Sequence, residues 1–335
     1  MVRADSLHGH RLMVRLLLDV DTGVDDALAI AYILAQDDAE IVGVCCSAGN
    51  VSVERVVQNT LSVLDLLGAP TVPVSVGSAI PLGGPIGSAE DVHGESGLGD
   101  AVLPASSREL DPRHAARLWI DTVRANPGQI TGLVTGPLTN LALAVRLDPE
   151  LPALLRGLVI MGGSFDHRGN VGGTAEWNIF VDPEAAKIVF DAFEGQTAER
   201  LPVLCGLNVT EKVALRPDHV AALRERCGDT AITRFVADVL APYFSYYDRL
   251  GFGAQAPMHD PLAAVVALEP AVAVKAPQTV VDVELNGRLT RGMTVADWEG
   301  EWARVPNAVV VTEVDGQAVL DRLTESFVRL SDRIG

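Results

Sequence analysis

Short apolar runs alternate with amphipathic stretches along the first two thirds of the chain, and that alternation admits few folds. Residues 14–20, 40–47, 72–76, 130–135, 157–161 and 201–205 read as strands rich in Val, Leu and Ile. Between them, residues 24–36, 52–67, 112–126 and 137–146 carry apolar positions at helical spacing. Ser52 can cap the second of these helices, and Gly68 and Pro70 end it. Strand, helix and strand in succession build βαβ units, so the sequence predicts a mostly parallel, mixed α/β sheet flanked by helices. The last third adds helices at residues 217–227 and 230–249, strands at 279–285 and 308–313, and a closing helix from Gln317. Residues 77–104 are rich in Gly, Pro, Ser and Asp, and a loop of that length in a compact domain is a candidate lid.

With 335 residues, 48% of them hydrophobic, the chain can bury a large core. It reads as a single domain over residues 14–335, preceded by a flexible N-terminal extension at 1–13. Acidic residues outnumber basic ones by 44 to 26, a net charge of −18, which repels nucleic acid and anionic membranes and favours an uncharged small molecule. Cys45, Cys46, Cys205 and Cys227 form neither a C-x-x-C pair nor a zinc-finger spacing, and read as small buried side chains in a reducing cytoplasm. Neither a signal-peptide core nor an 18-residue apolar span is visible, so a soluble cytoplasmic protein is expected.

Against that background, one polar cluster is out of place. Asp19, Asp21, Asp25 and Asp26 fall within eight residues where the first strand ends and the first helix begins. In open α/β sheets the crevice beyond the strand carboxyl ends is where ligands bind. Carboxylates this close raise one another's pKa unless a cation neutralises them, and an all-oxygen set suits calcium or magnesium better than zinc or copper. Acidic residues are also favourable in the first turn of a helix, which would account for Asp25 and Asp26 but not for Asp19 or Asp21. An EF-hand would need an oxygen-bearing side chain at Gly23 and a terminal Glu; a haloacid-dehalogenase phosphotransferase would start Asp-x-Asp but carry Thr or Val at Gly23.

The run Asp19-Val-Asp-Thr-Gly-Val-Asp-Asp-Ala-Leu-Ala resembles the N-terminal fingerprint of the inosine-uridine type nucleoside hydrolases. Further blocks that resemble this family follow in order. They are Gly49-Asn50-Val51, His93-Gly94 with Gly97-Leu98-Gly99, Thr135-Gly-Pro-Leu-Thr-Asn-Leu-Ala142, Met161-Gly-Gly-Ser-Phe165, Glu176-Trp-Asn-Ile-Phe-Val-Asp-Pro-Glu-Ala-Ala186 and His259-Asp260. The resemblance implies a Rossmann-like nucleoside hydrolase fold, calcium-dependent cleavage of the N-glycosidic bond of ribonucleosides to ribose and free base, and a homodimer or homotetramer. It also implies that Asp21, Asp26, Asp260 and the Thr135 carbonyl hold Ca2+. Asp25, Asn50, Asn170, Glu176 and Asn178 would bind the ribose hydroxyls, with Met161 beside the sugar and His93 near the base. The chain departs from the family pattern at Asp166-His-Arg-Gly169, at Thr22 in place of a common Pro, and at Glu211 where many members carry His.

Cleaving an N-glycoside passes through an oxocarbenium-like state, so carboxylates near the ribose and an activated water are both needed. Asp21 is the candidate general base. His259 is the candidate general acid for the departing base, on the strength of an ordinary histidine pKa near about 6.5. Tyr247 is a candidate base contact, although Tyr243, Phe244, Tyr246 and Tyr247 also fit the core stripe of a helix. His8, His10, His114, His167 and His219 show no partner pattern. The alternative reading is a non-catalytic, calcium-dependent nucleoside or ribose-binding protein.

Overall fold

The computed structural model describes residues 13–334 apart from Ile86 and Ser88; the expected N-terminal extension lies outside the described residues, except Met13. Nine strands form the main sheet: β1 (Val14–Val20), β2 (Ala39–Cys46), β3 (Val74–Val76), β4 (Ile130–Val134), β5 (Gly157–Met161), β6 (Val203–Cys205), β7 (Gln278–Val283), β8 (Thr294–Asp297) and β9 (Ala308–Val310). Their order across the sheet is β8-β7-β9-β6-β5-β4-β1-β2-β3. Every pairing from β3 through to β9 is parallel, and β7 and β8 close that edge antiparallel. The sheet is therefore mixed and mostly parallel, as the alternating sequence predicts. Strand β8, the helices Pro183–Ala192 and His259–Leu268, and the short helix Glu90–His93 inside the 77–104 segment are additions to that reading.

The chain runs outward from β1 to β2 and β3, then jumps back to β4 on the other side of β1. That reversal opens a crevice between the carboxyl ends of β1 and β4. Strand β1 is buried on both faces: Leu16, Leu18 and Val20 enter one apolar cluster, and Leu17 enters the other with Trp119, Leu118 and Ile130. A strand that serves two cores must be apolar at nearly every position, so the aspartates at its end cannot be surface decoration.

The helix Val24–Leu34 starts at the crevice and is buried along almost its whole length, packed on His259–Leu268. Ser52 caps Val53–Leu66 by accepting from the Arg55 N–H, and Gly68 ends that helix in the left-handed region at φ 61°. Cys45, Cys46 and Cys205 are buried and Cys227 is half-buried; all four are free thiols. No helix among the described residues is long and apolar enough to cross a membrane.

Candidate active site

The carboxyl ends of β1 and β4, with the start of His259–Leu268, bring four aspartates together. Asp25, Asp26 and Asp260 are buried, and one oxygen from each lies within 4.8 Å of the others. Asp26 accepts from the Gly23 N–H at 2.9 Å and from the Thr135 hydroxyl at 2.7 Å, which aims it at the crevice. Asp21 is fully buried beside them; its Oδ2 accepts from the Asn50 N–H at 2.8 Å, while its Oδ1 is buried without a hydrogen-bond partner. A Cβ on Gly49 would stand 2.1 Å from Asp21 Oδ2, and one on Gly136 would stand 2.9 Å from the Asp21 nitrogen, so both positions require glycine.

Burial pushes all four upward in pKa, and for Asp21, Asp25 and Asp260 the neighbouring aspartates add to it. Asp21 and Asp260 lie well above the usual carboxylate range, Asp26 is raised, and Asp25 reaches about 7. An orphaned buried oxygen and a knot of mutually repelling carboxylates are what a hard cation would relieve, and the donors are oxygen throughout. The cluster could hold a metal. Asp25, which the sequence reading put among the sugar contacts, belongs to this carboxylate trio and also lines the cavity above it.

Above the aspartates lies a cavity of about 250 Å³. Asp25, Asn50, His93, Thr135, Met161, Asn170, Glu176, Asn178, Tyr247, His259 and Asp260 all line it; Asp21 and Asp26 sit beneath. Glu176 caps its own short helix, accepting from the backbone N–H groups of Asn178, Gly163 and Ile179 at 2.8, 3.0 and 3.2 Å. Burial outweighs those donors and lifts Glu176 to about 7. The Asn178 amide donates to the Thr135 carbonyl at 2.7 Å, tying the β5 side of the cavity to the end of β4.

Two histidines line the cavity. His93 Nδ1 accepts from the Val24 N–H at 3.2 Å, which leaves Nε2 as the protonated nitrogen of the neutral ring. A Cβ at Gly23 would come within 2.5 Å of that Nδ1, so the glycine in the aspartate motif also seats His93. His259 Nδ1 pairs with the Thr210 hydroxyl at 2.8 Å. Burial lowers His93 to about 3, with His259 adding to it, and lowers His259 to about 4. The ordinary pKa assumed for His259 from sequence is thereby corrected: both rings are neutral at pH 7.

The aromatic residues of the Ala231–Arg249 helix divide between core and cavity. Tyr243 is buried yet reaches the cavity beside His93, with ring centroids 5.7 Å apart, and meets Tyr247 edge-on at 5.6 Å. Phe244 packs on the core. Sequence reasoning gave no role to Asp91 or Trp177, which also line the cavity, as does Tyr246, read from sequence only as part of a helix core stripe; the Trp177 indole N–H is buried without a partner. Its place between Glu176 and Asn178 was the available signal.

Residues 16–321 match the model of the inosine-uridine preferring nucleoside hydrolase family. The chain is 34% identical over 320 residues to the inosine-uridine preferring nucleoside hydrolase of Crithidia fasciculata, covering 95% of this chain and 98% of that one. It is 38% identical over 314 residues to the pyrimidine-specific ribonucleoside hydrolase RihA of Salmonella paratyphi A, covering 92% and 97%. Among solved structures, the purine-preferring ribonucleoside hydrolase of Gardnerella vaginalis superposes with a TM-score of 0.88 at 31% identity, over 95% of this chain and 99% of that one. A match of this extent, on a crevice where the aspartates, asparagines and histidines of the motifs converge, makes the chain a member of the inosine-uridine preferring nucleoside hydrolase family.

Proposed function

We propose that this nucleoside hydrolase is calcium-dependent and cleaves uncharged ribonucleosides to ribose and free base, with residues 14–335 acting as one catalytic unit. Asp21, Asp26, Asp260 and the Thr135 carbonyl would hold the ion, whose charge would fix the 2′ and 3′ ribose hydroxyls and make a nearby water more acidic. Asp21 takes the proton from the water that attacks C1′ as the bond to the base nitrogen breaks. The partner-free Asp21 Oδ1 is the single observation that best supports this role, because it is a buried acceptor with nothing to accept.

Asp25, Asn50, Asn170, Glu176 and Asn178 bind the sugar hydroxyls, and Met161 packs against the ring. The surrounding carboxylates favour the positive charge that builds on the ribose. His93 and Tyr247 contact the base. His259 relays a proton to the departing nitrogen: the ring, neutral at rest, takes up a proton from solvent at one nitrogen as its cavity-facing nitrogen gives one up, so it ends neutral and no imidazolate forms. The buried free thiols support a reducing, cytoplasmic setting.

Ribose release from uridine, cytidine, inosine and adenosine, with calcium and with excess chelator, tests this. The reading expects release from at least one nucleoside and its loss on chelation. Binding without turnover would instead support the non-catalytic alternative, and turnover indifferent to chelation would remove the ion.

A further inference from the structure

We propose that Arg168 is a positioning residue that latches the mouth of the cavity, holding the loop that carries Asn170 against the wall that carries Tyr247; this rests on reading the cavity as the nucleoside site. The loop leaves β5 through Asp166, a non-glycine residue in the left-handed region at φ 50°. Ser164 Oγ donates to the carbonyls of His167 and Arg168 at 3.0 and 2.9 Å, which fixes the loop's first half. Its second half folds back on itself, with Gly169 N–H donating to Gly173 O and Val171 N–H donating to Ala175 O, both at 3.0 Å. Asn170 and Val171 thereby reach the cavity from the first arm of a small hairpin whose turn is residues 172–174.

Arg168 ties that hairpin to the far wall. Its Nη2 donates to Glu211 Oε2 at 2.9 Å, and its guanidinium carbon stands 5.1 Å from the centroid of the Phe252 ring. Phe252 lies 6.2 Å from the Tyr247 ring, and its turn is set by Gly251 and Gly253, both in the left-handed region at φ 84° and 77°. Glu211 directly follows Thr210, whose hydroxyl pairs with His259. One planar cation thus links the Asn170 hairpin, the Tyr247 helix end and the segment that seats His259.

Glu211 is mostly shielded, with its side chain 15% exposed, whereas Arg168 is 49% and Phe252 48% exposed. An ion pair and a cation–π contact at that exposure each shift an equilibrium by a few-fold. That is enough to favour a closed mouth and little enough to let it open in each turnover.

Hydrogen exchange and steady-state kinetics on Arg168→Gln, with Arg168→Lys as the conservative variant, test the latch. Amides in residues 166–175 and 250–253 should exchange several-fold faster in Arg168→Gln than in the unmodified protein at an unchanged melting temperature. KM should rise about fivefold to tenfold with a smaller change in kcat, the size of one or two lost exposed contacts. Lys keeps the charge but not the planar stack, so it should fall between. Unchanged exchange in both segments overturns the latch, and a loss confined to kcat overturns the positioning role. If the unmodified protein released no ribose at all, the functional reading would fall, while the exchange comparison would still decide the latch.

Discussion

Asp19 and Asp21 leave the same strand end two residues apart, both fully buried, yet they meet opposite surroundings. Asp19 points into the core that holds Trp119; its Oδ2 accepts from the Trp119 indole at 2.7 Å and its Oδ1 from the Asn140 amide at 2.9 Å. Asn140 in turn accepts from the Ser78 N–H at 2.8 Å, so Asp19 braces the strand against the start of the 77–104 segment. Asp21, just past the strand end, has one backbone donor, one unpartnered oxygen and carboxylates for neighbours. A buried acid satisfied by neutral donors is scaffold; a buried acid left short of donors and set beside like charges is a site.

The comparison breaks most sharply at Asp21→Asn. Turnover should fall by about 10²- to 10⁴-fold, the usual worth of a general base, and more if the cation leaves with it. The melting temperature in chelator should hold or rise, because the substitution removes a buried like charge. Near-normal turnover would take Asp21 out of the chemistry. His259→Ala should slow natural nucleosides by about 10²-fold while sparing activated nitrophenyl ribosides, whose leaving groups need no proton. Equal losses on both substrates would reduce His259 to a structural partner of Thr210.

Asp19→Asn should give the smallest kinetic effect and a stability effect instead. The new amide sets an N–H against the donors of Trp119 or Asn140, at a cost of about 1–3 kcal/mol, visible as a melting shift of several degrees. Turnover per folded molecule should change little. A large kinetic loss with an unchanged melting temperature would make Asp19 part of the site after all.

The sequence carried the aspartate floor plainly, since Asp21 directly follows an apolar strand and Asp25 and Asp26 interrupt an apolar helix, both largely buried. Asn50, Glu176, Asn178 and His259-Asp260 were readable through their ordered motifs, and the structure gathers them on one cavity. What escaped was pairing across long separations. Asp19 meets Trp119 and Asn140 over 100 and 121 residues, and Thr210 meets His259 over 49. Arg168 meets Glu211 over 43. Local pattern reports which face a residue occupies, but not which distant side chain waits there, and so the depressed pKa of His259 was also out of reach.

Calcium titrated calorimetrically into chelator-stripped protein tests the central claim most directly. The account predicts one tight site that is abolished in Asp260→Asn and retained in Asp19→Asn. Because Asp25 is raised to about 7 and its neighbours lie high as well, protons occupy the cluster below that pH. Binding should therefore release protons and weaken as pH falls below 7, by about tenfold per pH unit for each proton displaced. No binding by the stripped protein, or binding that Asp260→Asn leaves intact, would contradict it.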